Sequence, residues 1–149
     1  MDKRKILEVK NLKVFYKTSI GDVRAVDNID FFLRSGETLG LVGESGCGKT
    51  TTGTALLKMP APPGYIAGGK IMLDGEDIIP ISETEIRKRI RWEKISMVFQ
   101  GAMNCLTPVY TIGKLMMETL QTHRPMDKEK AKKIIVKYLN YVGLPEHVM

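Results

Sequence analysis

Residues 43–50 of the chain read Gly43-Glu44-Ser45-Gly46-Cys47-Gly48-Lys49-Thr50. This run fits the pattern G-x-x-x-x-G-K-[ST] without a mismatch, and the pattern is typical of a loop that wraps the phosphates of a nucleotide. Its glycines allow successive backbone N–H groups to point inward at an anion. Lys49 is expected to reach the β- and γ-phosphates, and the Thr50 hydroxyl is expected to bind Mg²⁺. The sequence therefore predicts a site for a nucleoside triphosphate and Mg²⁺.

The residues on either side of this loop favour the same interpretation. Residues 38–42 (TLGLV) form a short apolar run, typical of a strand that is buried on both faces. The segment from Lys49 to Met59 predicts a helix that Pro60 ends. A loop between a strand and a helix N-terminus is the context that the motif requires, since the helix dipole favours negative charge there. Thr51, in the first turn, is placed to hydrogen-bond the α-phosphate.

The first hundred residues read mainly as strands. Residues 6–16 and 26–33 alternate apolar and polar side chains, which predicts an antiparallel β layer ahead of the loop. By composition, residues 60–69 are expected to be a loop. Residues 70–73 predict a further strand, which ends at an Asp74-Gly75 hairpin turn. Residues 95–99 predict a second strand that is buried on both faces.

The remaining segments read as helices. Ser82 with Glu85 fits a capping box for a helix through about residue 92. Apolar residues at helical spacing predict two amphipathic helices after residue 110, the second of which begins after Asp127 and ends near Gly143. The predicted fold class is α/β: a P-loop NTPase core with an N-terminal antiparallel β subdomain and the beginning of an α-helical subdomain. The expected division is 1–100 for the β layer and core, and 101–149 for the partial helical subdomain.

Composition excludes several other classes of protein. The chain has 149 residues, a net charge of +6 and 43% hydrophobic residues, which is an ordinary globular balance and excludes a disordered or collagen-like chain. It contains two cysteines, too few for a disulfide scaffold. No apolar run approaches the roughly 18 residues of a membrane span, and no secretory signal is recognisable at the start. The basic residues are scattered, so no nucleic-acid partner is expected.

Three stretches together resemble a known family. Tyr16, then residues 25–51, then ISMVFQ at 95–100 look like the ATP-binding subunit, or nucleotide-binding domain, of an ABC transporter. The run MNCLTPVYTIG at 103–113 is similar to the oligopeptide/dipeptide importer branch, which usually reads close to MTSLNPVYTIG; this chain differs at Asn104, Cys105 and Thr107. The resemblance implies a subunit that couples ATP binding and hydrolysis to peptide import.

The same resemblance implies roles for individual residues. Tyr16 matches the aromatic residue that stacks on adenine in the family. Gln100 matches the Q-loop glutamine, which contacts Mg²⁺ and the attacking water, so it is the candidate catalytic residue and, with Thr50, a candidate metal ligand. The expected ATP-binding residues are Tyr16, Gly43, Glu44, Ser45, Gly46, Cys47, Gly48, Lys49, Thr50 and Thr51.

Partners and location follow from the resemblance as well. It implies permease subunits whose coupling helices dock around residues 101–124, a second ATP-binding subunit in a head-to-tail dimer, and, indirectly, an extracytoplasmic peptide-binding protein. The chain is expected at the cytoplasmic face of the membrane as a peripheral subunit. The family's LSGGQ-type signature, Walker B strand, catalytic glutamate and switch histidine do not occur before Met149. The chain is therefore expected to be an N-terminal fragment, nearly inactive in ATP hydrolysis.

Other functions remain open from the sequence. One is a P-loop kinase for a small metabolite, although such kinases usually begin with the P-loop strand and need a lid that bears arginines. Another is a non-transport ABC ATPase that acts on nucleic acid or the ribosome, which the positive charge allows. A third is an interaction module with an inactive loop, against which the intact Lys49-Thr50 pair argues.

Overall fold

The computed structural model describes residues 4–101, 106–145 and 147. The chain divides into two compact units, residues 1–95 and residues 96–149. Met103, Asn104 and Cys105, which belong to the importer-like run, lie outside the described residues. The first unit carries the phosphate-loop motif, and the second unit carries Gln100.

The first unit is built on a four-stranded antiparallel sheet. Its strands are β1 (Lys5–Thr18), β2 (Gly21–Arg34), β3 (Gly64–Leu73) and β4 (Glu76–Asp77), and their order across the sheet is β2-β1-β3-β4. The hairpin of β1 and β2 confirms the antiparallel layer that the alternating pattern predicts. The turn at Asp74-Gly75 between β3 and β4 is also as predicted.

The core of this unit lies against one face of the sheet. Strand β1 buries Leu7 and Val9, then Leu12 and Val14, and the phase shifts by one residue at an irregularity between Val9 and Leu12. A regular strand alternates its faces with a period of two, so the extra residue keeps both apolar pairs on the buried side. The other fully buried members of the core are Ala55, Ile71, Ile78, Ile86 and Ile90.

Three short helical segments complete the first unit. Helix α1 (Lys49–Leu56) follows the phosphate-loop motif and buries Thr52 and Ala55. Helix α2 (Glu83–Glu85) begins as predicted at Ser82, whose hydroxyl accepts a hydrogen bond from the Glu85 backbone N–H at 3.3 Å. A π-helical turn (Ile86–Ile90) continues from it.

The second unit is helical. Helix α3 (Ile112–His123) begins after Thr111, and helix α4 (Lys128–Tyr141) begins after Asp127, whose carboxylate accepts hydrogen bonds from two backbone N–H groups. Gly143 adopts a left-handed conformation (φ 74°) just after α4, as the helix-end pattern predicts. No helix in the described part of the chain combines the length and the apolar composition that a membrane crossing requires.

Two predicted strands are not strands. Residues 38–42 and 95–99 are irregular apart from one isolated bridge between Arg91 and Ile95, and both runs expose apolar side chains: Val42 is 97% exposed and Val98 is 89% exposed. A strand that is buried on both faces depends on neighbouring strands and on covering helices. Within the described residues no strand pairs with either run, so the predicted parallel pairing is absent.

The predicted loop at 60–69 is also wrong in its second half. Strand β3 begins at Gly64, where it pairs with Tyr16 of β1. The glycines of this segment favour a loop by composition, but pairing with a long neighbouring strand overrides local preference.

Candidate functional site

The site begins where the loop joins helix α1. Gly48 caps the helix in a left-handed conformation, with φ 91° and ψ 3°. A Cβ atom at this position would lie 2.6 Å from the carbonyl oxygen of Ala25 on β2. Both the backbone conformation and the close approach therefore require glycine. This contact seats the N-terminus of α1 directly on the sheet.

The loop curves around the ammonium group of its own lysine. Lys49 Nζ donates hydrogen bonds to the carbonyl oxygens of Gly43 at 2.7 Å and of Glu44 at 2.6 Å. It also lies 3.4 Å from Cys47 Sγ, and the Cys47 N–H donates to the Glu44 carbonyl at 3.3 Å. Gly46, with φ 80°, supplies the left-handed bend between Glu44 and Cys47. An ammonium group with three donors thus lies at the centre of a short backbone curve at the start of a helix.

The threonines of the first turn face different surroundings. Thr52 is buried, and its hydroxyl donates to the Gly48 carbonyl at 2.9 Å, so it serves the helix itself. Thr50 is exposed. The Thr51 hydroxyl is partly buried and lies 3.4 Å from the Tyr16 hydroxyl. Thr50 is therefore the most exposed of these three threonines, and its role as a ligand of Mg²⁺ stays a prediction.

Tyr16 is brought beside α1 by strand pairing. It lies near the end of β1, opposite Val23 of β2 and Gly64 of β3. A Cβ atom at Gly64 would lie 2.8 Å from the Tyr16 ring, so the missing side chain makes room for the aromatic group. Tyr16 is half-buried. The ring is thereby held next to the helix that follows the phosphate loop.

A hydrogen bond across the sheet supports this end of β1. The Tyr65 hydroxyl of β3 donates to the Asp22 carboxylate of β2 at 2.6 Å, so it links the two neighbours of β1. This hydrogen bond, with burial and the negative charge of Asp22, raises the pKa of Tyr65 above its ordinary value. The tyrosine hydroxyl therefore keeps its proton, and the link persists, throughout the neutral pH range.

The structure brings together the predicted site residues of the first unit. These are Tyr16, the loop from Gly43 to Gly48, and the first turn of α1 from Lys49 to Thr51. Gln100 is exposed in a turn with Gly101 and belongs to the second unit. In the described residues no three His, Cys, Asp or Glu side chains lie close enough to hold a metal ion.

Sequence reasoning missed the residues that hold this arrangement in place. Ala25 supplies the carbonyl against Gly48, and Gly64 supplies the space for Tyr16. Gly64 lies outside the stretches that carry the family resemblance, and Ala25 begins the run 25–51 with no local sign of its contact with Gly48, because each acts through a contact distant in sequence.

Comparison with known proteins identifies the family of the chain. The protein-family model described as ABC transporter matches residues 26–148. The chain belongs to the ABC transporter family. This ABC-family chain is 44% identical over 142 residues to the oligopeptide transport ATP-binding protein OppD of Bacillus subtilis, with 95% of the chain and 39% of the relative aligned. It is also 44% identical over 141 residues to OppD of Escherichia coli, with 95% of the chain and 41% of the relative aligned.

A dipeptide relative gives a similar result. The dipeptide transport ATP-binding protein DppD of Lactococcus lactis subsp. cremoris is 40% identical over 147 residues, with 98% of the chain and 42% of the relative aligned. The ABC-family chain thus spans about two-fifths of the length of the curated relatives that it matches. Family membership carries nucleotide binding with it, and the loop of residues 43–50 is the feature of this chain that fits that role.

The close approach at Gly48 leads to a stability prediction. Gly46→Ala places a side chain in open space at φ 80°, so it is expected to lower the free energy of unfolding by about 1–2 kcal/mol, the cost of left-handed backbone. Gly48→Ala has the same backbone strain, and its Cβ atom also clashes with the Ala25 carbonyl. The clash is expected to lower the free energy of unfolding by about 1–3 kcal/mol more. Urea unfolding followed by the fluorescence of Trp92, the one tryptophan in the sequence, measures both changes. Equal losses in the two variants would contradict the seating of α1 on Ala25.

Proposed function

We propose that this chain is part of the ATP-binding subunit of an oligopeptide or dipeptide importer, which couples ATP binding and hydrolysis to transport. The observation that carries the proposal is the loop from Gly43 to Gly48, curved around Lys49 at the anchored N-terminus of α1. The names of the relatives, oligopeptide and dipeptide transport ATP-binding proteins, support the choice of substrate class. No observation favours a kinase or a nucleic-acid ATPase.

In the proposed complex the triphosphate of ATP lies in the loop. The Lys49 ammonium would exchange its two carbonyl partners for oxygens of the β- and γ-phosphates, and the backbone N–H groups of the first turn of α1, from Lys49 to Thr51, would face the anion. The Thr50 hydroxyl is one ligand of Mg²⁺, and the phosphates and water supply others. Gln100 is proposed to join this site as the second protein ligand of Mg²⁺ and to orient the attacking water.

Tyr16 is proposed to hold the adenine. Its ring is fixed between Gly64 and α1, at the end of β1. Stacking of a base on an aromatic ring is worth about 1–3 kcal/mol. The hydroxyl is engaged with Thr51, so the ring and not the hydroxyl is the group that would meet the base.

The proposed partners are those of an importer. Residues 101–124, at the start of the partial helical subdomain, are proposed to receive the coupling helices of the permease. A second ATP-binding subunit in a head-to-tail dimer, and an extracytoplasmic peptide-binding protein acting through the permease, complete the system. The proposed location is peripheral, at the cytoplasmic face of the membrane.

Calorimetric titration with MgATP tests the phosphate site. The unsubstituted chain is expected to bind MgATP, and Lys49→Ala is expected to weaken binding about tenfold or more, because a hydrogen bond to a charged group is worth about 1.5–3 kcal/mol. Lys70→Ala removes the same charge from an exposed position on β3 and is the matched control. Equal affinities for the unsubstituted chain and Lys49→Ala would overturn the proposed site.

Two substitutions of Tyr16 separate the ring from its hydroxyl. Tyr16→Phe is expected to bind MgATP within about twofold of the unsubstituted chain, because it keeps the ring and loses only the 3.4 Å contact with Thr51. Tyr16→Ala is expected to weaken binding roughly 5- to 150-fold, the equivalent of about 1–3 kcal/mol of stacking. The same titration measures both variants. Loss of affinity in Tyr16→Phe as large as in Tyr16→Ala would assign the role to the hydroxyl instead.

Hydrolysis by the 149-residue chain alone is expected to be very slow. Phosphoryl transfer depends on positioning and on charge stabilisation, and the family's signature loop, Walker B acid and catalytic glutamate are not among these residues. Phosphate release under saturating MgATP is therefore expected to fall far below the roughly 1 s⁻¹ of modest enzymes. Turnover near that value, abolished in Lys49→Ala, would contradict the expectation.

A further inference from the structure

The C-terminal end of α1, like its N-terminal end, makes specific contacts with the rest of the first unit. After Leu56 the chain turns through Lys58, which has a left-handed φ of 53°. The Lys58 N–H donates to the Ala55 carbonyl and the Met59 N–H donates to the Thr54 carbonyl, both at 2.9 Å. This is the hydrogen-bond pattern of a Schellman motif, in which the left-handed residue is usually glycine. A lysine at this place indicates that its side chain has a role.

The Lys58 side chain ties this turn to the segment after β4. Its ammonium group donates to the carbonyl oxygens of Ile79 at 2.7 Å and Ile81 at 2.6 Å. Both bonds join residues more than twenty positions apart. The end of α1 is thereby fixed to the chain that leads into α2.

Arg91 completes the attachment from the other side. Its Nε donates to the Leu57 carbonyl at 2.9 Å and one of its terminal nitrogens to the Lys58 carbonyl at 3.3 Å. The guanidinium also forms a two-point ion pair with the carboxylate of Glu83. Only 14% of the Arg91 side chain is exposed. A guanidinium at a helix C-terminus satisfies the last carbonyls and complements the negative end of the helix dipole.

We propose that Arg91, oriented by Glu83, is a positioning residue of the nucleotide site. The inference rests on the proposed binding of the triphosphate at the other end of α1. The helix has eight residues, about 12 Å, and behaves as a short rod. Contact of Gly48 with Ala25 fixes one end, and the carbonyls held by Arg91 fix the other. Two fixed ends set the axis of α1, and this axis sets where Lys49 and Thr50 meet the phosphates.

The test compares Arg91, which directly follows the π-helical turn, with Arg89 inside that turn. Arg91→Met is expected to weaken MgATP binding roughly 5- to 30-fold, in the range of energetic coupling through packed contacts. Arg89 lies two residues earlier, and its side chain is 51% exposed and pairs with the carboxylates of Glu76 and Glu85. Arg89→Met is therefore the matched control and is expected to bind within twofold of the unsubstituted chain.

A positioning role is distinguished from simple destabilisation by measuring the Kd for MgATP under conditions in which each variant is almost fully folded. Each affinity is taken at a temperature where urea titration followed by Trp92 fluorescence gives more than about 95% folded chain, so a purely structural role leaves Kd unchanged. Arg91→Lys keeps a cation and loses the two-point pair, and it is expected to recover part of the affinity. Glu83→Gln is expected to lose less affinity for MgATP than Arg91→Met. In the double variant the two losses are expected not to add, because both residues belong to one ion pair.

The outcomes separate this inference from the proposed function. If the unsubstituted chain does not bind MgATP, or if Lys49→Ala binds MgATP as tightly as the unsubstituted chain, the proposed nucleotide site is wrong. The role of Arg91, which depends on that site, is then wrong as well. If the chain binds and Lys49→Ala fails, while folded Arg91→Met binds within twofold, the positioning role alone is overturned. If Arg91→Met does not fold, Arg91→Lys and Glu83→Gln decide: unchanged affinity in both overturns the proposal.

Discussion

The seating of one short helix is the constraint on which the site depends. Helix α1 has eight residues, and isolated helices shorter than about 12–15 residues are marginal in water. Its stability therefore comes from contacts, and one of them is the approach of Gly48 to the Ala25 carbonyl, which leaves no room for a Cβ atom at Gly48. That contact places the free N–H groups of the first turn at the edge of the β layer, where the loop and Tyr16 also lie. A side chain at position 48 would push the helix away from the Ala25 carbonyl and so move the N–H groups of its first turn away from the loop and Tyr16.

Much of this arrangement is predictable because its signals are local. The loop motif needs eight consecutive residues, and the β1–β2 hairpin needs only the alternation of apolar side chains along two runs. Helix starts at Ser82 and Asp127 depend on a side-chain oxygen that accepts a hydrogen bond from a nearby backbone N–H. In each case the physical partners lie within a few residues, so pattern and structure agree.

The failures occur where a segment's state depends on distant residues. The runs 38–42 and 95–99 have the composition of buried strands, but composition cannot supply the neighbouring strands that such a state requires. The converse occurs at Gly64, where pairing with β1 makes a strand of a segment that reads as a loop. The attachment of α1 by Lys58 and Arg91 is of the same kind. Arg91 lies 34 positions along the chain from the Leu57 carbonyl that it binds, so the contact leaves no local pattern in the sequence.

The position of Lys49 bears on how the loop binds an anion. With its ammonium between the Gly43 and Glu44 carbonyls, the loop is already curved, so little backbone ordering remains to oppose binding. The carbonyls are neutral and a phosphate is an anion, so the proposed exchange of carbonyl for phosphate oxygens adds the attraction between opposite charges to hydrogen bonds from the same ammonium group. An interaction module with an inactive loop would have no need of this pre-formed cation at the start of an anchored helix. The arrangement fits the proposed site for a polyphosphate, because it combines the N–H groups of a helix start, a cation beside them and a helix held at both ends.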